Sequence, residues 1–157
     1  MNSNKIDELN MELQAIKKKN SHAYQHNVLP GIQKKTKEFL AAFEDYFRER
    51  GFVVKKEQHF VKVAFDSLEF TAFTKDEHDI FILKEKEPIA SISVKHKTPT
   101  KSAAYTFDHP QDQLNWEIKK EKTLANYLEH PEFYYTGSEF GKQYEHPLTV
   151  LDSIFHV

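Results

Sequence analysis

The amino-acid sequence predicts an α+β protein: a four-stranded antiparallel meander with N-terminal and C-terminal helices packed mainly on one of its faces. Near both ends of the chain, apolar residues recur every three or four positions, which is the period of a helix. Between residues 58 and 95 they recur at every second position, which is the period of a strand. The connections within that block are short, which favours antiparallel pairing of consecutive strands. Strands in one block and helices in others indicate the α+β class.

The predicted helices have recognisable apolar stripes or end signals. Pro30 suits the first turn of the second helix, and Gly51 suits its C-terminal end. In the first helix, four apolar residues at intervals of three, four and three positions lie on one stripe: Ile6, Leu9, Leu13 and Ile16. We expect helices over residues 4–20, 30–51, 110–130 and 147–155.

Alternating apolar and polar residues predict the strands, and polar pairs such as Asp66 and Ser67 supply the turns. Strands are expected over residues 61–65, 68–72, 78–83 and 89–95. Alternation indicates one buried sheet face, which we expect to lie under the helices at 30–51 and 110–130. Near-complete burial is therefore expected for five residues: Phe43, Phe65, Phe70, Ile82 and Ile92.

Composition limits the classes of function. The chain of 157 residues contains no cysteine, which excludes thiol catalysis, disulfides and cysteine-ligated zinc. The 22 basic and 24 acidic residues nearly balance, so no overall attraction to nucleic acid or to a membrane is expected. A polar N-terminus and short apolar runs predict a cytoplasmic protein, and no cofactor or metal is predicted. We expect residues 1–29 to form an N-terminal helix with its connector, and residues 30–157 to form one α+β domain.

The stripe of the first helix is a candidate partner interface. Ile6, Leu9, Leu13 and Ile16 form a narrow seam of the kind that contacts one other helix. Packing against the chain's own sheet or second helix is the alternative interpretation. Because the second helix uses its phenylalanines for the sheet, the seam predicts contact with another chain, including a homodimer.

A basic stretch follows the last predicted strand. No acidic residue occurs between Pro88 and Phe107, and aromatic residues follow the lysines. Interleaved positive charge and stacking surfaces are typical of anion or single-stranded nucleic-acid binding. The candidate residues are Lys95, Lys97, Lys101 and Tyr105. The alternative is a solvated strand end whose lysines protect an exposed edge.

Asp79 in the run HDIFIL and Lys95 in the run IASISVK suggest a catalytic pattern. The order of elements and these residues resemble the PD-(D/E)xK superfamily of restriction-endonuclease-like proteins. The resemblance implies Mg²⁺-dependent nucleic-acid cleavage, with Asp79 as a metal ligand, Lys95 as the lysine and Glu44 as the helix glutamate. Ser93 stands where the family carries an acid, and His78 where it carries proline. The resemblance therefore implies a degenerate site more than an active one.

His22 and His26 are a further pair, since residues four apart share a helical face. A third ligand is not visible nearby, so two solvated histidines are the expected interpretation. Without a catalytic motif, the sequence predicts a small non-catalytic binding or regulatory protein that acts through protein–protein contacts, with a protein partner or a second copy. Nucleic acid is the less favoured partner. A nuclease-like protein that contacts nucleic acid and a small-ligand-binding domain stay open as alternatives.

Overall fold

The computed structural model describes residues 3–76, 78–100, 106–137 and 142–155. The helices are α1 (Ser3–Ala23), α2 (Leu29–Arg48), α3 (Pro110–Glu129) and α4 (Pro147–Phe155), with a π-helical turn at Tyr24–Val28. The strands are β1 (Val53–Glu57), β2 (Phe60–Phe65), β3 (Leu68–Thr74), β4 (Asp79–Lys84), β5 (Glu87–His96) and β6 (Phe133–Thr136). The chain divides into two compact units. One, the helical unit, comprises Met1–Pro30 and Lys97–Glu132, and the other, the sheet unit, comprises Gly31–His96 and Phe133–Val157.

Within the described residues, the sheet unit has six strands in the order of the sequence, each antiparallel to the next. The α+β class and the antiparallel meander over residues 58–95 are therefore confirmed. The expected number of strands, four, is too small, because β1 and β6 extend the meander at its two edges. β1 lacks an alternating pattern, and β6 is a run of four residues rich in aromatic side chains.

One face of the sheet is covered by α2 and α4. Phe70 on β3 lies 5.3 Å from Phe47 of α2 and 5.0 Å from Phe155 of α4, measured between ring centroids. The expected burial is confirmed for four residues: Phe43, Phe70, Ile82 and Ile92. Burying side chains of this size contributes about 1.5–3 kcal/mol each.

The expectation for Phe65 is wrong, because its side chain is 51% exposed. Phe65 is the last residue of β2, directly before the turn at Asp66, and its ring lies 5.6 Å from that of Phe52. Alternation assigns Phe65 to the covered face, but at this end of the strand the cover is incomplete.

The C-terminal end of α2 follows the sequence prediction. Gly51 has a φ of 86°, in the left-handed region that favours glycine. The N–H of Phe52 donates to the carbonyl of Phe47 at 3.0 Å, which satisfies one of the last helical acceptors.

In the helical unit, α1 packs against α3. Leu9 and Leu13 are buried with Ile118 of α3, while Ile16 and Leu114 are half-buried against this cluster. Burial of the predicted seam therefore does not require a second chain, and its role as a partner interface stays a prediction. These contacts also correct part of the predicted packing, since apolar residues of α3 expected against the sheet pack against α1.

Two asparagines fix the register of this helix pair. Asn20 is buried and donates through Nδ2 to the carbonyl and carboxylate of Glu121, at 3.0 and 2.8 Å. Asn27 donates to the carbonyl of Leu128 at 3.0 Å. The donors, Asn20 in α1 and Asn27 in the π-helical turn, and their acceptors in α3 are both seven residues apart and follow the same order along the chain, so the two helical segments run parallel. No helix in the described ranges is long and apolar enough to cross a membrane.

Candidate functional site

Asp79 and Ser93 lie opposite each other on β4 and β5. The Ser93 hydroxyl donates to Oδ1 of Asp79 at 2.6 Å. Their neighbours Ile80 and Ile92 are fully buried, and successive side chains point to opposite sheet faces. Asp79 and Ser93 therefore lie on the face opposite to α2 and α4, which we call the second face.

Glu44 lies on α2, at the covered face. Its carboxylate oxygens each contact a cation at 2.9 Å, one from Lys56 of β1 and one from Arg48. β1 and β4 are separated by three strand spacings, which is about 14 Å. The structure therefore does not bring Glu44 together with Asp79, because they differ both in face and in position across the sheet. A shared cation site needs carboxylates that converge within a few Å.

Lys95 is exposed on β5, two residues beyond Ser93 on the second face and opposite Tyr134 of β6. Lys97, in the helical unit, is ion-paired instead, with 3.1 Å between its Nζ and Oε2 of Glu132. That contact compensates the charge that Lys97 would offer to an anion. The other two residues of the predicted anion site, Lys101 and Tyr105, lie outside the described residues.

The turn before β4 holds a cluster that the sequence did not single out. Potential ligand atoms of Asp76, His78 and Asp79 all lie within 4.8 Å of one another. Oδ1 of Asp76 accepts the N–H groups of His78 and Asp79 at 3.2 and 2.7 Å. Nδ1 of His78 lies 3.4 Å from Oδ2 of Asp79.

Carboxylate and imidazole ligands of this kind can hold a divalent cation, but the hydrogen bonds of the turn already account for this arrangement. Desolvation acts to raise the pKa of Asp76, yet the N–H groups of Asp79 and His78 outweigh it and leave the pKa below its usual range. Asp76 therefore caps the turn as a carboxylate. The only sequence signal was the polar tip that predicts the turn itself.

The rings of His22 and His26 are 4.1 Å apart, and both are exposed. Neither belongs to a group of three potential metal ligands in the described part of the chain. A depression of about 710 Å³ beside them is lined by residues from one helical stretch: Ala15, Lys18, Lys19, Ser21, His22 and Gln25. Lining from a single helix does not enclose a ligand as small-molecule sites do.

The free edge of the sheet is the remaining candidate. Among the described residues, β1 pairs only with β2, so the outer N–H and C=O groups of Val53–Glu57 have no strand beside them. All of β1 is exposed except Val54, which is half-buried. Val53 is 75% exposed on the face opposite to α2, whereas Phe65, which follows the cross-strand partner Ala64, points to the covered face. This edge combines unpaired outer backbone groups with the exposed side chain of Val53.

Comparison with protein-family models, with curated proteins and with solved structures finds no match to this chain.

Proposed function

We propose that this chain is a non-catalytic binding protein that acts through protein–protein contacts, with the outer edge of β1 as its contact surface. The observation that carries this proposal is the exposed edge strand at Val53–Glu57, whose outer backbone groups have no strand beside them among the described residues. An extended segment that aligns with such an edge gains main-chain hydrogen bonds for affinity and side-chain contacts for specificity.

Exposed apolar side chains beside the edge support the same proposal. Val53 and Phe65 are large and exposed at the same end of the β1–β2 pair, one on each face of the sheet. Sheets commonly protect an edge with lysines, and β1 carries two. Lys56, however, forms an ion pair with Glu44, so Lys55 is the lysine of β1 whose charge can interact with a partner.

The candidate catalytic residues support binding over chemistry. Glu44 is compensated by Lys56 and Arg48, and Asp79 accepts a hydrogen bond from Ser93 on the other face. The nuclease-like alternative would need Glu44 and Asp79 to converge on one ion, so we do not propose it.

Affinity capture with an edge variant tests the proposal. The wild-type chain and a Val53→Lys variant would be used as baits in extract from cells that carry the gene. Met11→Lys is the matched control, because Met11 lies on α1 and is 73% exposed, against 75% for Val53. Substitutions at such exposed positions change stability by only about 0.5 kcal/mol.

We expect a protein that the wild type and Met11→Lys retain equally and that Val53→Lys loses. Equal recovery of every captured protein by all three baits, with circular dichroism showing that all are folded, would contradict the proposal.

A further inference from the structure

We infer that the partner at β1 is an extended segment with an acidic residue opposite Lys55, a basic residue opposite Glu57 and an apolar residue opposite Val53. This inference rests on the proposed function, because it requires β1 to accept a strand. It goes further by naming the side-chain pattern of the partner.

The charge arrangement around Lys55 carries the inference. Lys55 lies directly opposite Lys62 of β2, and residues directly opposite each other share a sheet face. Lys62 has a carboxylate partner, with 3.7 Å between its Nζ and Oε1 of Glu69. Lys55 has no ion-pair partner within the described ranges. Like charges directly opposite each other are unfavourable, so an acid on the free side of Lys55 would relieve this repulsion.

The other side chains of β1 complete the pattern. Lys56 points to the covered face and already contacts Glu44 at 2.9 Å, so its neighbour in a partner strand need not be charged. Val54 is half-buried on the same face and favours an apolar neighbour. Glu57 is exposed at the end of β1 and favours a basic neighbour.

For an antiparallel segment, these preferences fix an order from its N-terminus to its C-terminus. The residue opposite Glu57 comes first and the residue opposite Val53 comes last. The resulting pattern is basic, neutral, acidic, apolar and apolar. The sequence Lys-Thr-Glu-Val-Val satisfies it.

A second copy of the chain fits this edge poorly. In a two-fold pairing of two β1 strands centred on Lys56, Lys55 would lie opposite Glu57, but the two Lys56 side chains would oppose each other and Val53 would lie opposite His59, which is not apolar. In the pairing centred on Lys55, Lys55 of one chain would lie opposite Lys55 of the other. Lys55, for which we infer an acidic neighbour, would then lie opposite a second lysine, which is unfavourable. The charge on β1 therefore favours another protein over self-pairing.

Two peptides of identical composition test the inference. One is centred on Lys-Thr-Glu-Val-Val and the other on the charge-exchanged Glu-Thr-Lys-Val-Val. Binding to the full chain would be measured by titration up to about millimolar peptide, with amide NMR shifts locating the site. We expect the first peptide to bind at least about five-fold more tightly, since two cross-strand charge pairs change sign.

Variants make the assignment to Lys55 specific. Lys55→Glu should remove or reverse the preference between the peptides. Lys5→Glu, at an exposed position of α1, changes the net charge equally and should leave the preference unchanged. A peptide with N-methylated backbone amides should lose binding, because its main-chain donors are blocked.

Equal affinity for both peptides at β1 would overturn the inferred charge pattern while leaving strand addition in place. Absence of binding to β1 by either peptide would also overturn it, and so would a dimer that pairs through β1. The proposed function is judged separately by the capture comparison with Val53→Lys. Its failure there can therefore be distinguished from failure of the charge pattern.

Discussion

Tyr46 and Tyr135 are buried tyrosines of the sheet unit with different hydroxyl environments. The Tyr135 hydroxyl donates to the carbonyl of Lys35 on α2 at 2.7 Å, and its ring lies 5.7 Å from that of Phe39. The Tyr46 hydroxyl is buried and has no hydrogen-bond partner within the described residues. Burial raises the pKa of both phenols, so both are neutral at physiological pH.

Replacing each tyrosine by phenylalanine should therefore have different effects on stability. Tyr135→Phe removes a hydrogen bond and should cost about 0.5–1.5 kcal/mol, whereas Tyr46→Phe removes an unsatisfied buried hydroxyl and should be neutral or stabilising. Urea unfolding of the two variants beside the wild type measures the difference. A Tyr46→Phe variant as unstable as Tyr135→Phe would show that the Tyr46 hydroxyl does have a partner.

His96, the last residue of β5, provides a prediction about pH. Burial lowers the pKa of His96 below its ordinary value of about 6.5. Below that pH, the unfolded chain binds a proton that the folded chain resists. The free energy of unfolding should therefore fall as the pH falls through about 6.5.

Urea unfolding at about pH 7.5 and pH 5.5 should show this loss, and His96→Gln should reduce it. His22→Gln removes one exposed histidine and serves as the matched control. An unchanged pH dependence in His96→Gln would mean that His96 does not contribute to it.

Contact between α2 and β6 depends on a glycine. A Cβ atom at Gly31 would lie too close to the ring of Phe133, whose nearest ring atom would be Cζ. Glycine at this helical position lets Phe133 pack directly onto the helix backbone.

Gly31→Ala should destabilise the sheet unit by about 1–3 kcal/mol through overpacking, although alanine favours a helix. Phe133→Leu shortens the opposing side chain, so the double variant should lose less stability than the sum of the two single variants. Additive losses in this double-mutant cycle would show that the two residues do not clash.

Contact between α1 and α3 gives the apolar seam a structural role. Leu13→Ala should cost about 2–5 kcal/mol, because it leaves a cavity beside Ile118. Gln14→Ala, at the next and exposed position, should change stability by only about 0.5 kcal/mol. Chemical denaturation of the two variants measures both. A Leu13→Ala variant as stable as Gln14→Ala would show that α3 does not cover this seam.

Elements with a strong period were predictable, and elements defined by distant contacts were not. The stripe of α1, the end of α2 at Gly51 and strands β2 to β5 follow from local spacing. β1 lies at an edge where four of its five residues are exposed, so its sequence does not alternate. The parallel pairing of α1 and α3 depends on residues about 100 positions apart, such as Asn20 and Glu121, which no local pattern reveals.

At the scale of the whole chain, the candidate sites also combine features that local spacing predicts with features that depend on tertiary packing. Local spacing predicts the consecutive strands that carry Asp79 and Ser93, and these strands pair. Spacing could not show that Glu44 faces the other side of the sheet, because the face that a helix covers depends on tertiary packing. The free edge of β1 is defined by the strand order of the sheet. The sequence predicted this sheet without β1 and β6, its two outer strands.

The division into two compact units gives the proposed binding surface a clear location. β1 belongs to the sheet unit, at the end of the strand order opposite to β6. β6 is less open than β1, because Tyr135 exchanges two backbone hydrogen bonds with Tyr144 at 2.7 and 2.9 Å. Strand addition is therefore expected at β1 and not at β6.

Amide hydrogen exchange of the full chain, free and bound to a captured partner, tests this central claim most directly. Outward N–H groups of an uncovered edge strand exchange quickly, and pairing with a partner strand protects them. We predict that partner binding slows exchange within Val53–Glu57 and leaves the rates in β6 and α1 unchanged. Protection of α1 or β6 with unchanged exchange in β1 would contradict the assignment of β1 as the binding edge.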